Sequence, residues 1–150
     1  MSTSEGNRPG PFADPGGEGP TDVDLVVDVA NVMGSRPDGW WRDRAAAALR
    51  LVRRLPGLAG RRVTAPDGAS LRLGRVVAVV EGQARAVPGV DGVDLVRAAA
   101  DGDADVVRTC EAIVADGGQA LAVTADSGLR ARLPVGTIIA GPTWLHALLE

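Results

Sequence analysis

Acidic residues follow the hydrophobic runs of this chain, and that placement constrains its fold more than any other feature. Asp28 closes Leu25-Val26-Val27, and Glu81 follows Val76-Val77-Ala78-Val79-Val80. Asp101, Asp103 and Asp105 come shortly after Val93-Asp94-Leu95-Val96, and Asp126 comes after Leu121-Ala122-Val123-Thr124. Short apolar runs of this kind suit strands of a parallel sheet buried on both faces. In open α/β sheets the ligand lies in the crevice beyond the carboxyl ends of the strands. Carboxylates gathered there repel one another unless a cation or a shared proton neutralises them. The expected occupant is a hard divalent ion with oxygen ligands, and the expected chemistry is on phosphate esters.

Strand and helix signals alternate along the chain. Strands are expected over about Asp24 to Ala30, Arg75 to Val80, Val93 to Arg97, Ala120 to Thr124 and Thr137 to Ala140. Helices are expected over Trp40 to Leu55, Asp103 to Ala115 and Leu129 to Leu133, with a last one opened by Pro142. In the first helix Trp41, Ala45, Ala48, Leu49, Val52 and Leu55 share one side, so Trp41 is expected in the core. A short hairpin is expected over Arg61 to Leu73, around the turn signal Pro66-Asp67-Gly68. This alternation predicts an α/β fold, a three-layer α/β/α sandwich with a five-stranded, mainly parallel sheet. Residues 1–21, rich in Gly and Pro, are expected to be a disordered tail, and 22–150 one folded domain.

Composition removes several classes of protein. The single Cys110 excludes an internal disulfide and a cysteine-based zinc cage, as expected for a cytoplasmic protein. No stretch resembles a signal peptide or a membrane span. No Lys occurs anywhere, which rules out a Walker-type phosphate loop and a pyridoxal Schiff base. The net charge of −3 hides a division: ten Arg against three Asp between Arg36 and Arg75, and three Arg against nine acids between Glu81 and Asp126. A basic half of this kind attracts polyanions toward an acidic centre, although part of it, including Arg50, Arg53 and Arg54, reads as ordinary solvated helix surface.

The local motifs are short. Asp28-Val29-Ala30-Asn31 places an acid at a strand end and an amide three residues on, able to orient a water or a phosphate oxygen. A turn would favour Asn31 and Gly34 equally. Asp101-Gly102-Asp103-Ala104-Asp105 lacks the glycine and the final acid of a calcium loop, so an EF-hand is rejected. One of its acids is expected to cap the following helix, and Asp126 has about even odds of being a cap as well. Ser127 has no nucleophile elbow around it, and His146, the only histidine, reads as a partly buried surface residue.

Taken in order and spacing, Asp28-x-x-Asn31, Gly102-Asp103-x-Asp105 and Val123-Thr124-Ala125-Asp126 resemble the PIN-like superfamily, and within it the NYN branch and its bacterial YacP-like relatives. The resemblance spans about Asp22 to Glu150. It implies strand order 3-2-1-4-5 and a Mg²⁺- or Mn²⁺-dependent ribonuclease, with Asp28, Asp105 and Asp126 as core ligands and Asn31 and Asp103 as supports. Such nucleases commonly carry a further acid on a helix. Here the candidate for that ligand is Glu81, at a strand end.

The expected partner is therefore RNA, held by Arg36, Arg42 and Arg44 with Trp40 stacking on a base. A homodimer is left open. Two rival readings use the same residues. In one, the acidic crevice hydrolyses a nucleoside triphosphate. In the other, the acids are caps and the chain is a non-catalytic RNA- or protein-binding module.

Overall fold

The computed structural model describes residues 19–150, so most of the expected tail, residues 1–18, lies outside the described residues. The chain is a mixed α/β protein with a mostly parallel sheet. Strand β1, Thr21–Asp28, begins inside the expected tail and stops short of Ala30. It stops because the Asp28 side chain turns back to accept from the Asn31 backbone N–H and caps helix α1, Val29–Met33.

β1 pairs in parallel with β3, Ser70–Val80, on one side and with β5, Ala120–Val123, on the other. Beyond β3 lies β4, Asp94–Arg97, and beyond β5 lies β6, Ile138–Ala140, both parallel to their neighbours. The sixth strand, β2, Arg62–Thr64, runs antiparallel to the start of β3. Among the described residues the sheet thus has six strands, one more than the five expected, because the hairpin is not a separate insertion. Its second arm, where buried Leu71 and Leu73 alternate with exposed Arg72, runs on into Val76–Val80 as one strand.

Successive side chains of β1 enter different clusters. Leu25 and Val27 pack with Val32 of α1, with Ala48, Leu51 and Val52 of α2, Arg44–Val52, and with Leu145 of α5, Pro142–Leu149. Val26 packs instead with Val106, Cys110 and Ile113 of α3, Asp103–Ala115, and with Leu129 of α4, Ser127–Arg130. From Leu25 to Asp28 β1 is buried on both faces, which accounts for the uninterrupted apolar run there. Trp144 ties α5 to the hairpin by donating from its indole N–H to the Thr64 carbonyl at 2.9 Å.

The expected helix from Trp40 to Leu55 is broken into three pieces. Trp40–Arg42 is a 3₁₀ turn, Asp43 leaves helical geometry and caps α2 through the Ala46 N–H, and Leu55–Leu58 forms a second 3₁₀ turn. Trp41 is therefore off the apolar face on which the sequence pattern placed it. It is 51% exposed, and the buried positions of α2 are Ala47, Ala48, Leu51 and Val52. Among the described residues no helix is long and apolar enough to cross a membrane.

Candidate active site

Parallel pairing brings the carboxyl ends of β1, β3 and β5 to one edge of the sheet. Asp28 lies opposite Val79 of β3, two residues before Glu81, and Val27 lies opposite Val123 of β5, one residue before Thr124. The result is a cleft of about 310 Å³ lined by Asp28, Ala30, Asn31, Glu81, Asp101, Asp103 and Asp126. Five carboxylates from four segments of the sequence thus share one wall-to-wall space.

Asp28 is the anchor. Only 5% of it is exposed, its Oδ2 accepts from the Thr124 hydroxyl at 3.0 Å, and its Oδ1 accepts from the Asn31 N–H at 3.4 Å. Burial pushes its carboxyl up to about 6 against those hydrogen bonds, and the charges of Asp103 and Glu81 push the same way. Thr124, fully buried, uses its oxygen in both directions, since it also accepts from the Asp126 N–H at 3.1 Å. Asn31 accepts from the Ala125 N–H at 2.7 Å, which leaves its NH₂ as the group able to donate into the cleft. These bonds lock the ends of β1 and β5 together.

Three of the four remaining carboxylates each hold a backbone N–H. Asp126 caps α4 through Leu129 at 3.0 Å, so its capping role is real, while its other oxygen makes no hydrogen bond among the described residues. Asp101 accepts from the Asp103 N–H at 3.0 Å, forming a local turn before α3. Glu81 accepts from the Gly102 N–H at 3.0 Å. A side chain at Gly102 would bring its Cβ within 2.9 Å of that Glu81 oxygen, so glycine is required by the close approach. Asp103 is pushed above the usual carboxylate range by burial and by Asp126 and Asp101, against the pull of Arg132.

Asp105 is not in the cleft. It pairs with Arg108 one turn along the helix. Two residues apart on a helix means about 200° around its axis, so Asp103 and Asp105 cannot share a face. Asp103 lines the cleft where the sequence reading favoured Asp105. Asp101, counted among the gathered acids but not chosen as a ligand, also lines the cleft, and one contributor was missed: Thr124, for which a polar residue closing a wholly apolar strand was the only clue.

The donor set is all oxygen, which suits Mg²⁺ or Mn²⁺ rather than a soft metal. Among the described residues no three carboxylate, His or Cys side chains already form a cage for an ion. The two observations agree if an ion keeps much of its water, as Mg²⁺ does when bound by one or two carboxylates. Cys110 offers no alternative chemistry: buried in the α3 core, its thiol is pushed up to about 12.

Next to the cleft, and sharing Ala30 and Glu81 with it, is a slot of about 160 Å³ lined by Met33, Trp40, Arg44 and Gln83. Arg44 stands 5.3 Å from the Trp40 ring and Arg42 stands 5.8 Å from the Trp41 ring, and the two indoles meet edge to face at 6.0 Å. Arg36 is elsewhere. It pairs with Glu150 at 3.2 Å and lines a different depression with Arg50, Arg54 and His146.

No protein-family model matches the chain, and no curated protein matches its sequence. Among solved structures it is similar to Rae1 (YacP) from Bacillus subtilis, seen as a W164L mutant, with a TM-score of 0.61 and 17% identity over 85% of this chain and 75% of that one. At that identity the match shows the fold alone, which is like that of Rae1 (YacP).

Proposed function

We propose that the protein is a divalent-metal-dependent ribonuclease whose scissile phosphate binds in the acidic cleft. The observation that carries this reading is the convergence of Asp28, Glu81, Asp101, Asp103 and Asp126 on one space beyond the strand ends. Structural carboxylates scattered as helix caps would not raise one another's proton affinity, and Asp28 and Asp103 are both raised partly by their neighbours. The likeness in fold to Rae1 (YacP) adds support, together with the motif order read from the sequence. The whole arrangement is that of a three-layer PIN-like sandwich, a reading supported by the two apolar clusters and by parallel pairings that run β4-β3-β1-β5-β6, which is 3-2-1-4-5 when those five strands alone are numbered.

In this mechanism Asp28 and Asp126 would hold the ion directly, and Asp103, Glu81 and Asp101 would reach it through water. A bound Mg²⁺ or Mn²⁺ supplies a water of lowered pKa and neutralises charge on the phosphate. Thr124 and the Asn31 N–H orient the Asp28 carboxylate, and the Asn31 NH₂ donates to a phosphate oxygen. Trp40, backed by Arg44, stacks on a neighbouring base. Asp105 is left with a structural task, its bond to Arg108 on the surface of α3.

The test is to titrate Mn²⁺ into the protein and to follow cleavage of single-stranded RNA in the same buffer. Saturable Mn²⁺ binding with cleavage that EDTA stops is the expected result. A second reading, a non-catalytic RNA-binding module, is favoured by the lack of a ready-made three-ligand cage among the described residues. Binding of RNA without Mn²⁺ uptake would establish that reading instead.

A further inference from the structure

Helix α1 links the acidic cleft to a basic pocket on its other end. Ala30 lines the cleft and the Trp40 slot, whereas Met33 lines that slot and also a depression of about 210 Å³ between α1, α2 and α5. Ala30 and Met33 are three residues apart, so they sit on one face of α1, roughly 4.5 Å apart along its axis. The three depressions therefore follow one another around a single turn of helix.

The wall of the third is cationic. Arg36, Arg50 and Arg54 line it together with Asp38 and His146. Among the described residues Arg50 makes no side-chain hydrogen bond or ion pair. Arg54 is fixed by donating to the Leu149 carbonyl at the end of α5, where helix carbonyls lack partners. Arg36 donates to Glu150, with both side chains well exposed at 48% and 69%. His146 is held at 3.1 Å from the Ser35 hydroxyl, and burial and the neighbouring Arg36 keep its ring from protonating as readily as usual.

We propose that this pocket binds a phosphate group of the RNA strand whose scissile bond lies in the acidic cleft, an inference that rests on the RNA substrate argued above. Guanidinium groups grip phosphate oxygens through paired N–H donors, and two of the three have no stronger claim on them than an exposed ion pair, which is worth little. Glu150 shows that an anion fits against Arg36, since it already places a carboxylate there. The volume is below the ~300–1,000 Å³ that encloses a drug-sized ligand, and suits a backbone phosphate rather than a whole base. The strand would thus pass from the metal centre, over Trp40, to a phosphate seat beyond Met33, which gives the nuclease a directional track.

The experiment uses the full chain and fluorescence anisotropy with labelled single-stranded RNA in EDTA, over a salt series, beside Mn²⁺ titration and thermal melting of every variant. Arg50→Ala is expected to weaken RNA binding roughly 3- to 10-fold and to reduce the salt slope by about 0.7, the value for one lost phosphate contact on a single strand. Arg36→Ala with Arg50→Ala should reduce the slope by about twice that. Glu150→Gln, which releases Arg36, should tighten binding by about 2-fold. Mn²⁺ affinity and melting should stay as in the wild type. Folded variants that bind RNA with wild-type affinity and slope would overturn the inference, even if the protein cleaves RNA. RNA binding that depends on Arg50 without any cleavage would uphold the phosphate seat and overturn the nuclease reading, and with it the placing of a scissile bond in the cleft. Wild-type protein that binds a Glu-rich peptide through Arg50 but not RNA would overturn both.

Discussion

The acidic cleft and the basic pocket lie on opposite ends of the five-residue helix α1 and are built by opposite means. In the cleft every cap and turn contributes a carboxylate to one space: Asp28 to α1, Asp126 to α4, Asp101 and Glu81 to the start of α3. Ordinary capping thus gathers like charges where they disfavour each other's ionisation. In the pocket the charges belong to long exposed side chains, loosely held by an ion pair or a helix-end carbonyl. Capping gives a fixed site that suits a small ion. Arginine stems give an adaptable one that suits a polyanion.

The largest effect should come from the fixed site. Asp28→Asn and Asp126→Asn are each expected to lower metal-dependent RNA cleavage by roughly two orders of magnitude or more, above the ~10–100-fold cost of losing an outer-shell partner. Asn keeps the α4 cap at position 126, so circular dichroism should show an intact fold. Cleavage that survives both substitutions would place the metal elsewhere. Asp105→Asn provides the contrast: with its carboxylate turned to Arg108, it should leave cleavage within a few-fold of wild type.

Trp40 stands between the two regions, and its removal tests whether they serve one strand. Trp40→Ala should weaken single-stranded RNA binding by about 1–3 kcal/mol, the usual worth of a base stacked on an aromatic ring. Arg42→Ala should cost less and act through the salt slope, because that guanidinium lies beside the more exposed Trp41 and outside the slot. Equal losses from the two substitutions would argue for a diffuse basic surface instead of a track.

The sequence made the strand ends legible because parallel strands buried on both faces leave uninterrupted apolar runs, and the acids stood where those runs stopped. Asp28, Glu81, Asp103 and Asp126 all line the cleft for that reason. What it concealed depended on direction. Asp103 and Asp105 differ by a rotation about the axis of α3 that no motif spells out, and Trp41 left the core because Asp43 interrupts the helical phase. Arg50 and Arg54 read as solvated surface and are exposed, but no motif tells that the fold sets them with Arg36 and His146 around one pocket.

The charge repulsion in the cleft should also show in the stability of the metal-free protein. With the Asp28 carboxyl raised from 3.8 to about 6, the folded state binds its proton more tightly than the unfolded chain does. The stability this proton contributes is complete below about 3.8 and is lost as pH rises through about 6, to a total of about 3 kcal/mol. Asp28→Asn removes that dependence. Its amide must then face either the Thr124 hydroxyl or the Asn31 N–H with a donor, at a cost of about 1 kcal/mol. In EDTA the variant should therefore be more stable than wild type by about 2 kcal/mol near pH 8 and less stable near pH 4, as read by urea unfolding. A difference independent of pH would mean that Asp28 is not the strained carboxylate.

The smallest expected effect isolates Glu81, which follows the end of β3 and holds the start of α3 through the Gly102 N–H. Gly102→Ala puts a methyl group 2.9 Å from the Glu81 oxygen and 3.4 Å from Val79 Cγ1, so the carboxylate must move and the Gly102 N–H at the start of α3 loses its acceptor. The lost bond should lower stability by about 1 kcal/mol. If Glu81 belongs to the outer shell of the ion, Mn²⁺ affinity should fall by roughly 10-fold while Arg50-dependent RNA binding in EDTA is unchanged. Glu81→Gln keeps the acceptor for Gly102 and removes the charge, so it should restore the stability but not the Mn²⁺ affinity. Wild-type Mn²⁺ binding in both variants would assign Glu81 to the architecture of α3 alone and leave Asp28, Asp103 and Asp126 as the whole metal set.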